Sequence, residues 1–279
     1  MRFSIIIPTL GRSEELILML DSLLNQSFKD FEAIVVDQNE KDILTSIINS
    51  YKNSLVLKHI RIPARGASHA RNEGMKIAEG SILTFPDDDC EYPNDFLMRV
   101  NTCFEENPED GIVANTMDKT DGKAIANLSS NEIKIRRSNI LKTVIEAGIF
   151  IKSNIADGIW FDEDLGVGSP SGYCSDEGPD FVLQLLAKGA EMKFYPDFRM
   201  FHPNPVRVYN EQTAIRAYKY GKGRGYFLRK NKFGLKGILY FLLLYILGML
   251  KSIVFFNKQM FMYFVKGFKG RYEGYFKSK

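Results

Sequence analysis

The chain has 279 residues, of which 45% are hydrophobic and 25% charged. That length allows one large domain or two small ones, and the composition excludes disorder, collagen and coiled coil as descriptions of the whole. The net charge of +3 hides an asymmetry: residues 205–279 hold 16 Lys and Arg against 2 Asp and Glu, and the chain totals of 37 and 34 leave 21 against 32 for residues 1–204.

Phe3 to Ile7 is a short apolar run, as expected of a buried parallel strand. It ends at Pro8 and is too short for a signal peptide. Ser13 reads as an N-cap with Glu14 and Glu15 in the first turn, and Leu16, Leu20, Leu23 and Leu24 follow at helical spacing. Phe31 to Val36 is a second strand, ending at Asp37. Ile43 to Tyr51 reads as a helix, Val56 to Ile62 as a strand, and Ser68 to Glu79 as a helix stopped by Gly80. Ser81 to Phe85 is a fourth strand, ending at Asp87-Asp88-Asp89. Such alternation implies an α/β fold with a parallel sheet and right-handed crossovers.

Residues 107–140 are polar and weakly patterned, and read as loops and short strands. Ala147 to Lys152 reads as a strand, and Trp160-Phe161-Asp162 as a short buried turn. A glycine-rich loop spans residues 166–172. Asp180 to Lys188 is an amphipathic helix closed by Gly189. Met192 to Tyr195 is a strand broken by Pro196. Cys90, Cys103 and Cys174 cannot build a disulfide framework and fit a reducing compartment.

In open α/β sheets ligands bind beyond the carboxyl ends of the strands. Thr9, Asp37 and the Asp87–Asp89 run all fall there. Three adjacent carboxylates repel one another unless they are solvated or neutralised by a cation. Mg²⁺ and Mn²⁺ prefer oxygen ligands, and a diphosphate can complete their shell. The alternative is a charged loop leading into the next helix.

The order and spacing of Ser4-Ile-Ile-Ile-Pro-Thr9, Val35-Val-Asp37, Ala70-Arg-Asn-Glu-Gly74, Ala78-Glu-Gly80, Phe85-Pro-Asp-Asp-Asp-Cys-Glu-Tyr-Pro93, Glu177-Gly-Pro-Asp-Phe181 and Tyr195-Pro…His202 resemble those of family 2 glycosyltransferases of the inverting, bacterial surface-polysaccharide type. The resemblance covers roughly residues 2–205. It implies a GT-A fold, a Rossmann-like and mostly parallel sheet flanked by helices, that binds a nucleotide sugar. It also implies Thr9, Asp37 and Arg71 at the nucleotide base. The aspartate run matches the family's DXD motif. Alignment on Pro93 puts Pro86 at the usual first aspartate, which leaves Asp88 or Asp89 as the metal ligand and Asp87 nearer the ribose. His202 matches a histidine that in many relatives binds the metal or the donor diphosphate. Registering on Asp180-Phe181 places Glu177 at the family's catalytic base, with Asp176 and Asp180 as the other candidates. Gly178 stands where an aspartate is usual.

The expected reaction is sugar transfer with inversion from a nucleotide diphosphate donor, a UDP-sugar, to a hydroxyl of a glycan or lipid-linked glycan acceptor, with Mn²⁺ or Mg²⁺ as cofactor. The alternatives are a nucleotidyltransferase and a non-catalytic membrane-bound partner that keeps the fold.

The tail carries 18 of the 35 aromatic residues. Its uncharged stretch Gly237–Leu250 is 14 residues long, short of the ~20 that span a bilayer. Lys and Arg flank it on both sides, as expected of helices lying in an anionic membrane interface. A helical hairpin, a buried helix and a homodimer interface are the alternatives. Aromatics clustered with aliphatics are unlike a basic stacking groove, so nucleic acid is not expected as a partner. Gly221-Lys-Gly-Arg-Gly225 follows no strand and is rejected as a dinucleotide loop. The expected organisation is a catalytic domain over residues 1–205 and a helical tail over 206–279, peripheral or monotopic on the cytoplasmic face of the cell membrane.

Overall fold

In the computed structural model of the chain, residues 1–203 and 208–278 are described. The opening elements are β1 (Phe3–Thr9), α1 (Glu14–Leu24), β2 (Phe31–Asp37), α2 (Thr45–Tyr51), β3 (Leu57–Arg61), α3 (Ala67–Lys76), β4 (Ile82–Thr84) and α4 (Phe96–Glu106). They are followed by β5 (Gly111–Met117), β6 (Ile133–Lys134), β7 (Ile149–Lys152), α5 (Ser153–Ala156), α6 (Glu177–Ala187) and β8 (Met192–Phe201). The C-terminal segment forms α7 (Glu211–Lys230), α8 (Gly234–Val254) and α9 (Lys258–Phe276).

The strands make one sheet in the order β3-β2-β1-β4-β7-β5-β8-β6. β3, β2, β1 and β4 are parallel, β7 runs antiparallel between β4 and β5, β8 pairs parallel with β5, and β6 closes the edge antiparallel to β8. Every residue of β1 and β2 is buried, which is why both read as unbroken apolar runs. On one face Phe3, Ile5 and Ile7 pack with Leu16, Leu20 and Leu23 of α1 and Phe96 and Val100 of α4. Each such side chain contributes ~1.5–3 kcal/mol by leaving water. On the other face α3 lies close to the sheet. Gly74 permits this, because a Cβ there would overlap Ile6. Phe161 and Phe181 stack at 4.2 Å beneath Phe85.

Four expectations are corrected. The polar region 107–140 contains a central strand, β5, held between β7 and β8. Asn115 and Thr116 inside it, both buried, hid its character. β8 does not stop at Pro196. Its pairing with β5 jumps from Ala114–Tyr195 to Asn115–Arg199, so the proline sits in a bulge where no ladder N–H is required. Trp160 is exposed rather than buried, whereas Phe161 is buried. The helix expected from Asp180 begins three residues earlier, at Glu177.

The chain divides into two compact units: Met1–Ala64, His69–Phe161 and Phe181–Pro205 form the first, and Arg65–Ser68, Asp162–Asp180 and Val206–Lys279 the second. The boundary expected at 205/206 lies outside the described residues.

In the second unit, α7 starts with a capping box in which Asn210 and Thr213 each bond the other's backbone N–H. Asn257 caps α9 through the Met260 N–H. α7 and α9 touch through glycines. A Cβ at Gly221, Gly225, Gly270 or Gly274 would fall within 3 Å of a backbone carbonyl oxygen of the opposite helix. The Gly221–Gly225 run is therefore a helix-packing surface. α8 is continuous over 21 residues, longer than the uncharged stretch suggested, and by length and composition alone could cross a membrane. Its Leu235, Leu239, Leu243, Ile246, Leu250 and Ile253 are exposed, and their spacing puts them on one face.

Candidate active site

The first unit gathers polar side chains at the carboxyl ends of β1, β2 and β4. Strand register sets Thr9 beside Asp37, and Asp37 beside Arg61. Both Thr9 and Asp37 are buried. Asp37 Oδ1 accepts from the Asn39 backbone N–H at 2.8 Å and from Asn39 Nδ2 at 2.7 Å. Its Oδ2 faces His59 Nε2 at 3.1 Å and Arg61 Nε at 3.6 Å. Asn39 Oδ1 in turn accepts the Gly11 N–H at 2.7 Å, tying the loop after β1 to the loop after β2. Gly11 adopts φ 72°, a backbone setting glycine takes without strain.

The aspartate run follows β4. Arg71, almost fully buried and 5.5 Å from the Phe161 ring, donates from Nη2 to Asp87 Oδ1 at 2.7 Å. Arg12 Nη1 donates to Asp88 Oδ1 at 2.9 Å and to Asp89 Oδ2 at 2.6 Å. His202, beyond β8, brings Nε2 to 3.2 Å from Asp89 Oδ1 and 3.7 Å from Asp87 Oδ2. These contacts show how three adjacent carboxylates coexist. Burial would raise the Asp87 carboxyl, but the His202 hydrogen bond and the charges of Arg71, His202 and Arg12 hold it down to about 2. Burial, helped by the charges of Asp87 and Asp89, pushes Asp88 up to about 6 against the Thr9 hydroxyl and Arg12. His202 loses basicity to burial, but Asp87 and Asp89 lift it to about 9.

Asp87, Asp89 and His202 can each offer one ligand atom, all within 4.8 Å of one another. Asp89 Oδ1 is buried and has no hydrogen bond among the described residues. Two carboxylate oxygens and an imidazole suit Mn²⁺ or Mg²⁺, with room for diphosphate oxygens in the shell. Asp88, expected among the ligands, instead turns to Arg12 and Thr9. Asp87, expected nearer the ribose, stands in the group. Arg71, expected at the base, touches Asp87.

The second unit holds the three base candidates at the start of α6. Glu177, its first residue, is buried. Gly166, at φ 105°, lies against it: a Cβ there would be 3.2 Å from the Glu177 carboxylate and 2.8 Å from Ser68 Oγ. Asp176 has φ 70°, unusual for a residue with a side chain. Its carboxylate accepts from Arg224 Nε at 2.8 Å and pairs with Arg224 Nη2 at 2.7 Å. Asp180 is fully buried and accepts from Lys230 Nζ at 2.7 Å and Asn231 Nδ2 at 2.8 Å. Asp176 and Asp180 are thus engaged by cations of α7.

Sequence reading missed Arg12, Asn39, His59, Arg61, Arg224 and Lys230. Arg12 sits three residues after Thr9, the end of β1, so position was the only available signal. Asn39 lies two residues beyond Asp37, and His59, Arg61, Arg224 and Lys230 are distant in sequence from the carboxylates they serve.

The profile of glycosyl transferase family 2 matches residues 4–158. Poly(ribitol-phosphate) beta-N-acetylglucosaminyltransferase TarS of Staphylococcus aureus (strain Mu50) is 28% identical over 174 residues, covering 59% of this chain and 30% of TarS. GalNAc(5)-diNAcBac-PP-undecaprenol beta-1,3-glucosyltransferase of Campylobacter jejuni is 36% identical over 93 residues, 32% of this chain and 30% of that enzyme. The chain thus spans about a third of the length of these relatives. The crystal structure of S. aureus TarS 1-349 in complex with UDP-GlcNAc superposes with a TM-score of 0.63 at 17% identity, covering 98% of this chain and 92% of that one. Mannosyltransferase PcManGT from Pyrobaculum calidifontis, in complex with GDP-Man and Mn²⁺, gives 0.66 at 14% identity, covering 100% and 88%. The fold is GT-A, and since the family profile covers more than half of its residues, the chain belongs to glycosyl transferase family 2.

Proposed function

We propose that the protein transfers a sugar from a nucleotide diphosphate donor, a UDP-sugar, to a hydroxyl of a lipid-linked glycan, with inversion, in surface polysaccharide or glycoconjugate synthesis. The observation that carries this reading is the grouping of Asp87, Asp89 and His202 after β4 and β8, on the same sheet whose β1 and β2 end at Thr9 and Asp37. Relatives named for poly(ribitol-phosphate) and PP-undecaprenol acceptors support the acceptor class. Neighbours solved with UDP-GlcNAc, and with GDP-Man and Mn²⁺, support the donor class and the ion.

Each residue has a chemical task in this reading. Asp37 accepts the imide N–H of a uracil ring, and Thr9 lines the base beside it. Asp87, Asp89 and His202 hold Mn²⁺ or Mg²⁺, which when bound offsets the charge of the leaving diphosphate. Arg12 pairs with Asp88 and Asp89 beside this group. Glu177 takes the proton of the acceptor hydroxyl as it attacks the anomeric carbon, and the buried Asp176 and Asp180 stay ion-paired.

The same reading places the protein on the cytoplasmic face of the membrane, lying in the interface rather than crossing it. The apolar stripe of α8 is bordered by Lys236 and Lys251, whose aliphatic stems can lie along lipid while their ammonium groups reach phosphates. The domain reading is a GT-A catalytic part followed by this membrane-facing tail.

A thermal-shift screen of UDP-GlcNAc, UDP-glucose and GDP-mannose with Mn²⁺ tests the donor. A ligand at 100 times its Kd adds about 2.7 kcal/mol. Without acceptor, slow release of free sugar and nucleoside diphosphate is expected. Release of pyrophosphate when UTP and a sugar 1-phosphate are supplied instead would assign nucleotidyl transfer, and the absence of binding and of either reaction would leave a non-catalytic protein.

A further inference from the structure

We propose that Arg224 and Lys230 of α7 are positioning residues that clamp the first turn of α6 and thereby fix Glu177. The inference rests on Glu177 as the base and goes beyond it by assigning the tail a part in the reaction.

The clamp has two jaws. Arg224 grips Asp176 as a fork, with contacts of 2.7 and 2.8 Å to the two carboxylate oxygens. Asp176 sits at φ 70°, which costs of order 1 kcal/mol for a residue with a Cβ and persists only when the surroundings enforce it. Ser175 is held too: its hydroxyl donates to the Tyr220 carbonyl of α7 at 2.9 Å, and Gly223 lets the helix backbone reach the Ser175 backbone. Lys230 is the second jaw. Its ammonium reaches Asp180 Oδ2 at 2.7 Å and Asp162 Oδ2 at 2.6 Å, so one cation joins both ends of the glycine-rich segment 162–180. Asn231 adds a donor to the other oxygen of Asp180.

Glu177 follows Asp176 directly and precedes Asp180 by three residues. Its backbone cannot shift without disrupting a charge pair to a buried carboxylate on one side or the other. Buried ion pairs contribute little net stability beside a well-packed apolar substitute, and their best use is to fix geometry. Two part-buried pairs, each with its carboxylate buried, bracket Glu177 and match that use. The glycines at 166, 168 and 172, all at positive φ, leave the preceding loop with little stiffness of its own.

The test uses the full-length protein and three variants: Arg224→Lys, Lys230→Met and Glu177→Gln. The readouts are UDP binding with Mn²⁺, steady-state UDP release from a panel of UDP-GlcNAc, UDP-glucose and UDP-galactose, and amide exchange of residues 175–181 against β1 and β2. Arg224→Lys keeps the charge but loses the fork. It is expected to lower kcat roughly 10–100-fold, as misplacement of a reacting group by about 1 Å does, with the Kd for UDP within twofold of wild type. Exchange at 175–181 should rise in both clamp variants while β1 and β2 stay protected. If Arg224→Lys and Lys230→Met both keep wild-type kcat and exchange, the clamp is overturned. If they lose UDP binding and β1 protection in parallel, the contacts are only structural and the proposal also fails. Glu177→Gln isolates the underlying reading. Wild-type UDP release in that variant overturns Glu177 as the base, whatever the exchange data say about the clamp.

Discussion

Arg12 Nη1 lies 2.6 Å from Asp89 Oδ2, on a carboxylate that also faces His202. A half-exposed guanidinium on the loop after β1 thus offsets the charge of the carboxylate whose other oxygen, Oδ1, faces His202. Binding Mn²⁺ to Asp89 must compete with Arg12. The variant Arg12→Met is therefore expected to bind Mn²⁺ severalfold more tightly in the absence of nucleotide, read by electron paramagnetic resonance titration. Unchanged or weaker binding would show that Arg12 does not compete.

The ligand group itself makes a sharper prediction. Asp89→Ala and His202→Ala should each abolish Mn²⁺ binding and sugar transfer while the circular dichroism of the protein stays that of wild type. Asp88→Ala removes the partner of Arg12 and Thr9 instead, and should leave measurable Mn²⁺ binding. Full activity of the Asp89→Ala variant in excess EDTA would remove the metal from the reaction.

Asp37 tests base recognition. Four donor or ring nitrogens surround its two oxygens, which fixes the carboxylate plane. Hydrogen bonds to a charged group contribute ~1.5–3 kcal/mol. Asp37→Asn turns an amide NH2 toward donors on one side, and is expected to weaken UDP binding roughly 10–100-fold by calorimetry and to cost roughly 1–3 kcal/mol of stability while the protein stays folded. Equal affinity of the variant for UDP would place the base elsewhere.

Much of this site was legible because its residues sit where sequence punctuation is strongest. Thr9, Asp37 and Asp87 each follow an apolar run that ends abruptly, and a buried parallel strand can end only where backbone and side chains turn polar. Arg12 was not legible as a partner, because nothing in Leu10-Gly11-Arg12 says that the turn folds back onto residues about 76 positions later. The same holds for Arg224 and Lys230, whose meaning lies in Asp176 and Asp180. β5 was lost because Asn115 and Thr116 are buried polar residues inside a strand, and periodicity reads burial only through apolar side chains. Pro196 misled for a different reason: a proline breaks a ladder only where its missing N–H is needed, and a bulge removes that need. The tail glycines could be rejected as a dinucleotide loop but not recognised as a helix-packing surface, because what each glycine meets across the interface is not written in the sequence.

Glu32 gives a prediction for pH. It is fully buried and accepts from Ser4 Oγ at 2.6 Å, from the Glu79 N–H at 2.7 Å and from Lys58 Nζ at 2.7 Å. Burial would raise its carboxyl, but hydrogen bonds from Lys58, Ser4 and Glu79 hold it below the usual 4.5. The unfolded chain therefore binds this proton more readily than the folded one. The contribution of Glu32 is fully present above about pH 4.5 and is lost as pH falls through the depressed value. Glu32→Gln should cost roughly 1–3 kcal/mol at pH 7 in urea melts. The gap to wild type should close as pH falls through the depressed value, and a gap that persists at still lower pH would show that charge is not the source.

The tail gives the last prediction. On α8, Leu235, Leu239, Leu243, Ile246, Leu250 and Ile253 form one exposed stripe, and Phe256, past the end of the helix, is 96% exposed. Exposed apolar patches of this extent mark an interaction surface. The basic residues of the tail, 16 against 2 acidic ones over residues 205–279, favour anionic lipid as the partner. Full-length protein should co-sediment with vesicles containing phosphatidylglycerol at low salt and bind phosphatidylcholine vesicles more weakly. High salt should release part of it, since charge is screened over ~10 Å at 0.1 M, and should leave the apolar share intact. Leu239→Asp with Leu243→Asp puts two carboxylates on the stripe without touching any residue of the candidate site. That variant should lose vesicle binding at every salt concentration while keeping UDP binding unchanged. If it instead converts a dimer to a monomer in sedimentation equilibrium and leaves vesicle binding intact, the stripe joins two copies of the chain and the lipid contact lies elsewhere.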